Sequence, residues 1–130
     1  MESKSYLWKG KTILIVEDLP HNFELLEAML LHSGVSIVWA RNGLEAVEFV
    51  ADTSRYFDVI IMDISLPIVN GYQAMKKIRE VKPYIPIVTL TAYAYEGERE
   101  KSFEAGTNDY LTKPINSLTL MPVLAKYLSD

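Results

Sequence analysis

The chain has 130 residues, 49% hydrophobic and 23% charged, with no cysteine and a formal net charge of −4. That length suits one domain with one core, and the composition excludes a chain disordered throughout. A pI near 5.2, with no Lys/Arg cluster longer than Lys76-Lys77, argues against a nucleic-acid surface. Without cysteine there are no disulfides and no thiolate metal site, which fits a reducing cytoplasm. No apolar run approaches the ~18 residues of a membrane span, and Met1–Ser5 lacks the apolar core of a signal peptide. The expectation is a cytoplasmic domain that makes no membrane contact.

Residues 1–10 read as a lead-in segment and residues 11–130 as the domain. Trp8 is expected to pack back on the fold, because a wet indole so close to a core is costly. Ile13-Leu14-Ile15-Val16 then reads as a first strand, ending at Glu17-Asp18. Pro20 suits a first helical turn, Phe23, Leu26, Leu30 and Leu31 follow at helical spacing, and Gly34 supplies the stop. Residues 35–40 form a second strand. Asn42-Gly43 turns the chain into a helix with the stripe Leu44, Val47, Val50 and Ala51.

Residues 59–63 are a third strand, and Asn70-Gly71 turns into a helix carrying Met75, Ile78 and Val81 that must finish before Pro83. Residues 85–91 are a fourth strand, and residues 96–105 a short polar helix with Phe103 and Ala105, closed by Gly106. A fifth strand ends at residues 110–113, and residues 118–128 supply the last helix. Pro122 lies inside that helix, where it removes a hydrogen bond and crowds the preceding turn. It therefore predicts a late start, near Met121, or a distorted first turn.

Short apolar runs between helices read as buried parallel strands. Right-handed connections put helices on both faces. The predicted fold is an α/β/α three-layer, flavodoxin-like doubly wound sheet of five parallel strands, order 2-1-3-4-5, with five helices. In that order strands one and three lie side by side at the switch point, so Glu17, Asp18 and Asp63 share one crevice. Thr91 and Lys113 arrive at the same edge from strands four and five.

Three crowded carboxylates either rise in pKa or take up a cation. A hard, oxygen-liganded Mg²⁺, held by one or two carboxylates plus a phosphate, answers that need. Asp63, at the end of the most central strand, is the candidate covalent nucleophile, forming an aspartyl phosphate. Asp18 suits metal coordination, with Glu17 ligating or holding a metal-bound water. The Lys113 ammonium, the Thr91 hydroxyl and the Ala92 backbone N–H are donors for phosphoryl oxygens. A strand-terminal acid, Thr or Lys is by itself commonplace; the weight lies in their coincidence. Pro114 fixes the exit after Lys113, and X–Pro bonds are the ones that adopt cis. His21 and His32 lack metal-ligand spacing and read as surface residues.

The words Ile13 to Asp18 with Asn22, Met62-Asp63-Ile64-Ser65-Leu66-Pro67 with Asn70-Gly71, Leu90-Thr91-Ala92, and Glu104 to Pro114 resemble the receiver domain of two-component response regulators. The resemblance covers about residues 11–128. It implies that Asp63 accepts a phosphoryl group from a phosphohistidine on a histidine kinase or histidine phosphotransfer protein. It implies further that Glu17, Asp18, Asp63 and the Ser65 backbone carbonyl hold Mg²⁺, with Lys113 as the phosphoryl-binding lysine, Thr91 as the switch hydroxyl and Tyr110 as the switch aromatic. Glu17 stands where Asp is commoner, and Ser65 and Tyr93 occupy positions that tune phosphate lifetime.

The stretch from Thr91 to Gly106, with the lead-in Trp8-Lys9-Gly10-Lys11, is similar to receivers of hybrid histidine kinases. That suggests a module of a larger kinase, with a single-domain regulator close behind. Such a domain is no independent enzyme beyond its own phosphorylation and dephosphorylation. Competing readings are a phosphohydrolase of haloacid-dehalogenase type, a flavodoxin-type flavin module and a non-phosphorylated scaffold. The first lacks a second acid at Ser65, the second lacks a glycine loop after strand one, and the third leaves the complete residue set without a purpose.

Overall fold

The structure is a computed structural model, and it describes residues 6–66, 70–92 and 96–129. Runs rich in Ile, Val and Thr form five strands: β1 (Thr12–Val16), β2 (Ser36–Ala40), β3 (Val59–Asp63), β4 (Ile87–Thr91) and β5 (Asp109–Thr112). Between and after them come α1 (Pro20–Leu30), α2 (Gly43–Ala51), α3 (Gly71–Val81), α4 (Glu98–Ala105) and α5 (Ser117–Leu128). All strands are parallel, in the order β2-β1-β3-β4-β5.

The burial of each strand follows from its place. Every residue of the inner strands β3 and β4 is buried, whereas the edge strands β2 and β5 are largely half-buried. Because side chains alternate across a strand, β1 and β3 feed two cores. Ile13, Ile15 and Ile61 meet Phe23, Leu26, Leu120 and Leu124 of α1 and α5 on one face. Leu14, Val16, Ile60 and Met62 meet Val50, Met75 and Ile78 of α2 and α3 on the other. Trp8 joins the first core, its amide donating to the Ser33 carbonyl at 2.7 Å.

Three helices start on asparagine, whose side-chain oxygen accepts the amide of the third helical residue: Asn42 from Glu45, Asn70 from Gln73 and Asn116 from Thr119. Asn70 and Gln73 close a full capping box. The Asn-Gly pairs therefore act as helix caps more than as turns. The cap also corrects the expected start of the last helix. α5 begins at Ser117, and Pro122 lies inside it. Pro122 lacks the N–H that would reach the Leu118 carbonyl, but Leu118 is 88% exposed, so water can replace that donor.

Five positions on the predicted helical stripes face solvent: Leu31, Leu44, Ala51, Val81 and Phe103. Leu31 leaves α1 for a tighter 3₁₀ turn, Leu31–Ser33, which changes its phase. Leu44 and Val81 sit in terminal turns, and the Arg99 guanidinium lies over the Phe103 ring at 4.9 Å.

Candidate functional site

β3 ends in Asp63, 4% exposed, at the edge where all the carboxyl ends of the strands lie. The next turn folds back so that the Ser65 amide donates to Asp63 Oδ1 at 3.1 Å. Lys113 Nζ donates to Oδ2 at 3.2 Å. Lys113 reaches there because its own amide donates to the Thr91 carbonyl at 2.7 Å, extending the β4–β5 ladder one residue past its end. The Lys113–Pro114 peptide that follows is cis. Beneath Asp63, Gly71 opens α3 with its amide bonded to the Ile64 carbonyl at 3.0 Å. A Cβ at Gly71 would stand 2.7 Å from the Asp63 carbonyl oxygen and from Ile64 Cα, which is why glycine occupies the position.

Glu17 follows β1, next to β3, and is 2% exposed. Its amide donates to the Ala40 carbonyl at 3.0 Å, whereas neither carboxylate oxygen is in close hydrogen-bond geometry with a donor, the Asn22 side chain and the Asp63 carboxyl being its polar neighbours. Burial, and then the Asp63 carboxylate beside it, push its pKa up to about 8, with Asn22 and Lys113 pulling the other way. Half-buried Asp18 completes a cluster: one oxygen each of Glu17, Asp18 and Asp63 lie within 4.8 Å of one another. Buried oxygens without donors, beside two more carboxylates, fit a hard cation. A cavity of about 230 Å³ opens onto the cluster, lined by Glu17, Asn22, Leu25, Leu26, Lys113 and Ile115 among others.

Thr91 is buried at the end of β4, and Ala92 follows it, exposed. Tyr110 is half-buried on β5, paired in register with Thr89. His21 and His32 are exposed. Pro67 and Tyr93, singled out in the sequence, lie outside the described residues. Three residues escaped the sequence reading as contributors: Asn22, which lines the cavity; Trp39, whose indole donates to the Glu17 carbonyl at 2.7 Å; and Gly71 in its contact with Asp63. Asn22 and Gly71 stood in the motifs that carry the family resemblance, without a role assigned; Trp39 left no signal.

With this geometry in place, comparison with known proteins is decisive. The family model of the response regulator receiver domain matches residues 13–125. The chain is 36% identical over 129 residues to hybrid signal transduction histidine kinase I of Dictyostelium discoideum, covering 91% of this chain but 7% of that kinase. It is 32% identical over 122 residues to the polar-differentiation response regulator DivK of Brucella ovis, covering 92% of this chain and 98% of DivK. The crystal structure of the receiver domain of sensor histidine kinase PA1611 from Pseudomonas aeruginosa, with a magnesium ion coordinated in the active site cleft, superposes with a TM-score of 0.84. The identity there is 37%, over 93% of this chain and 99% of that one. An acidic cluster at the switch point of a 2-1-3-4-5 sheet, matched along nearly its whole length, leaves one assignment: this chain belongs to the response regulator receiver domain family.

Proposed function

We propose that this receiver stores a signal as an aspartyl phosphate on Asp63. The donor is a phosphohistidine on a histidine kinase or histidine phosphotransfer protein. One Asp63 oxygen forms the new O–P bond as the P–N bond breaks, and the electron pair returns to the imidazole nitrogen, which takes up a proton. Lys113, already 3.2 Å from Asp63, moves its charge onto a phosphoryl oxygen. The Thr91 hydroxyl and the Ala92 amide supply further donors. Glu17, Asp18, Asp63 and the Ser65 carbonyl would hold Mg²⁺, which supplies the positive charge that offsets repulsion between carboxylates and phosphoryl group.

The observation that carries this reading is the pair of Glu17 oxygens, buried beside Asp63 without a donor. The output is a two-state change. Thr91, drawn toward the phosphoryl oxygens, vacates space into which the Tyr110 ring turns, altering the face near α4. Tyr110→Ala should then leave phosphorylation intact and weaken discrimination between partners; equal discrimination by the variant would remove Tyr110 from the switch. The likeness to both a kinase-borne receiver and a free-standing regulator supports a cytoplasmic module of a hybrid kinase or a single-domain regulator.

The test is to incubate the chain with Mg²⁺ and acetyl phosphate and weigh it. One phosphoryl group should be gained, and Asp63→Asn should gain none. No gain by the wild type, or gain at another residue, overturns the reading.

A further inference from the structure

One side chain outside the acidic cluster reaches the backbone between Glu17 and Asp18. β2 stops at Ala40, where the chain turns into the Asn42 cap of α2. The Glu17 carbonyl lies past the last β1–β2 register pair, Val16 with Ala40. The Trp39 indole N–H takes the place of the next ladder donor, at 2.7 Å from that carbonyl. That carbonyl belongs to the peptide joining Glu17 to Asp18, and a peptide unit is planar. That hydrogen bond, with the Glu17 amide on the Ala40 carbonyl, restrains the backbone from which two successive cluster side chains depart.

The indole is itself held. Phe23 of α1 stacks on it with centroids 4.2 Å apart and planes within 7°, and the Arg41 guanidinium lies 4.5 Å from its centroid. Phe23 adjoins Asn22, which lines the cavity at the cluster. The ring thus ties α1, the end of β1 and the end of β2 together at the site.

We propose that Trp39 is a positioning residue for the acidic cluster: its indole N–H fixes the Glu17–Asp18 peptide, and so sets the affinity for Mg²⁺ without touching the ion. This rests on the reading that Glu17, Asp18 and Asp63 hold Mg²⁺. Trp39→Phe keeps an aromatic ring for Phe23 and Arg41 and removes the donor together with part of the indole's packing. Calorimetric titration with Mg²⁺ alone should show the dissociation constant raised about fivefold in Trp39→Phe, the equivalent of one neutral hydrogen bond. The final phosphoryl gain from acetyl phosphate at saturating Mg²⁺ should equal that of the wild type.

A variant that melts lower when metal-free but binds Mg²⁺ as the wild type does would make Trp39 merely structural and overturn the proposal. A second measurement needs no variant. On adding Mg²⁺ to the wild type, the indole proton resonance of Trp39 should shift and that of Trp8, near the opposite end of β1, should stay. A Trp39 resonance that does not respond overturns the proposal. Should the wild type take up no Mg²⁺ at all, the metal reading falls with it; if only the Trp39 readouts fail, that reading stands.

Discussion

The two ends of the same five strands are built in opposite ways. At the end where the strands begin, buried and half-buried polar groups are matched. Thr12 N–H donates to Asp58 at 2.8 Å, and Arg79 donates to the carbonyls of Gly106 and Ile85 and to the Asn108 side chain at 2.5–3.0 Å. The Asn108 side chain in turn accepts from the Ile87 amide at 2.8 Å, and Asp109 is held by Tyr127 and Lys126. At the end where the strands finish, Glu17 keeps two buried oxygens without donors. Apart from the Ser102 hydroxyl, these are the only such side-chain atoms among the described residues. The contrast assigns stability to one edge and chemistry to the other. An unmatched buried carboxylate costs stability, which is recovered either by taking up a proton or by binding a cation.

Breaking the matched edge should cost the most. Arg79→Ala leaves the Gly106 and Ile85 carbonyls and the Asn108 side chain without their charged donor, and should cost about 3 kcal/mol or more in urea unfolding. Where the variant is folded, its phosphoryl gain from acetyl phosphate should match the wild type. A fall in phosphorylation equal to the fall in stability would erase the division between the two edges. Next comes Gly71→Ala, which forces a methyl against the Asp63 carbonyl and Ile64 Cα. Overpacking there should destabilise by about 2 kcal/mol. Unlike Arg79→Ala it should also slow phosphorylation under conditions where the protein is fully folded, because the displaced backbone belongs to Asp63.

The smallest effect expected is at Tyr127. Burial, then hydrogen bonding to Asp109, raises its pKa well above that of a free phenol. Tyr127→Phe should cost about 1 kcal/mol by thermal melting, since Lys126 still holds Asp109. It should leave Mg²⁺ affinity unchanged; a shift in that affinity would show that the two edges communicate through α5.

How much of this was legible in the chain follows from what periodicity carries. Runs such as Val59-Ile60-Ile61-Met62 announce strands buried on both faces, and Glu17, Asp18, Asp63, Thr91 and Lys113 stand at or just past strand ends, so strand order alone gathered them. The exposed positions Leu31 and Leu44 failed because a stripe records helical spacing but not where a helix changes pitch or which turn overhangs the sheet. The late start expected for α5 failed because Pro122 was weighed without the Asn116 cap and without the exposure of Leu118, where water can replace the missing donor. Arg79 and Trp39 were silent for another reason. Asn108 lies 29 residues from Arg79, and the carbonyl that Trp39 meets lies 22 residues away. A donor's need for a distant carbonyl leaves no mark on local sequence.

The unmatched edge is tested most directly by thermal melting of metal-free wild type and Glu17→Gln across pH. A carboxyl whose folded pKa is raised, here from 4.5 to about 8, contributes stability below its unfolded pKa and loses it as pH rises through the folded one. Relative to Glu17→Gln, the wild type should therefore weaken steadily between about pH 4.5 and 8, by on the order of 5 kcal/mol in all. At pH 8, Mg²⁺ should restore the wild type and raise the variant much less. A wild type that keeps its margin over Glu17→Gln up to pH 8, or that gains nothing from Mg²⁺ there, would contradict the account.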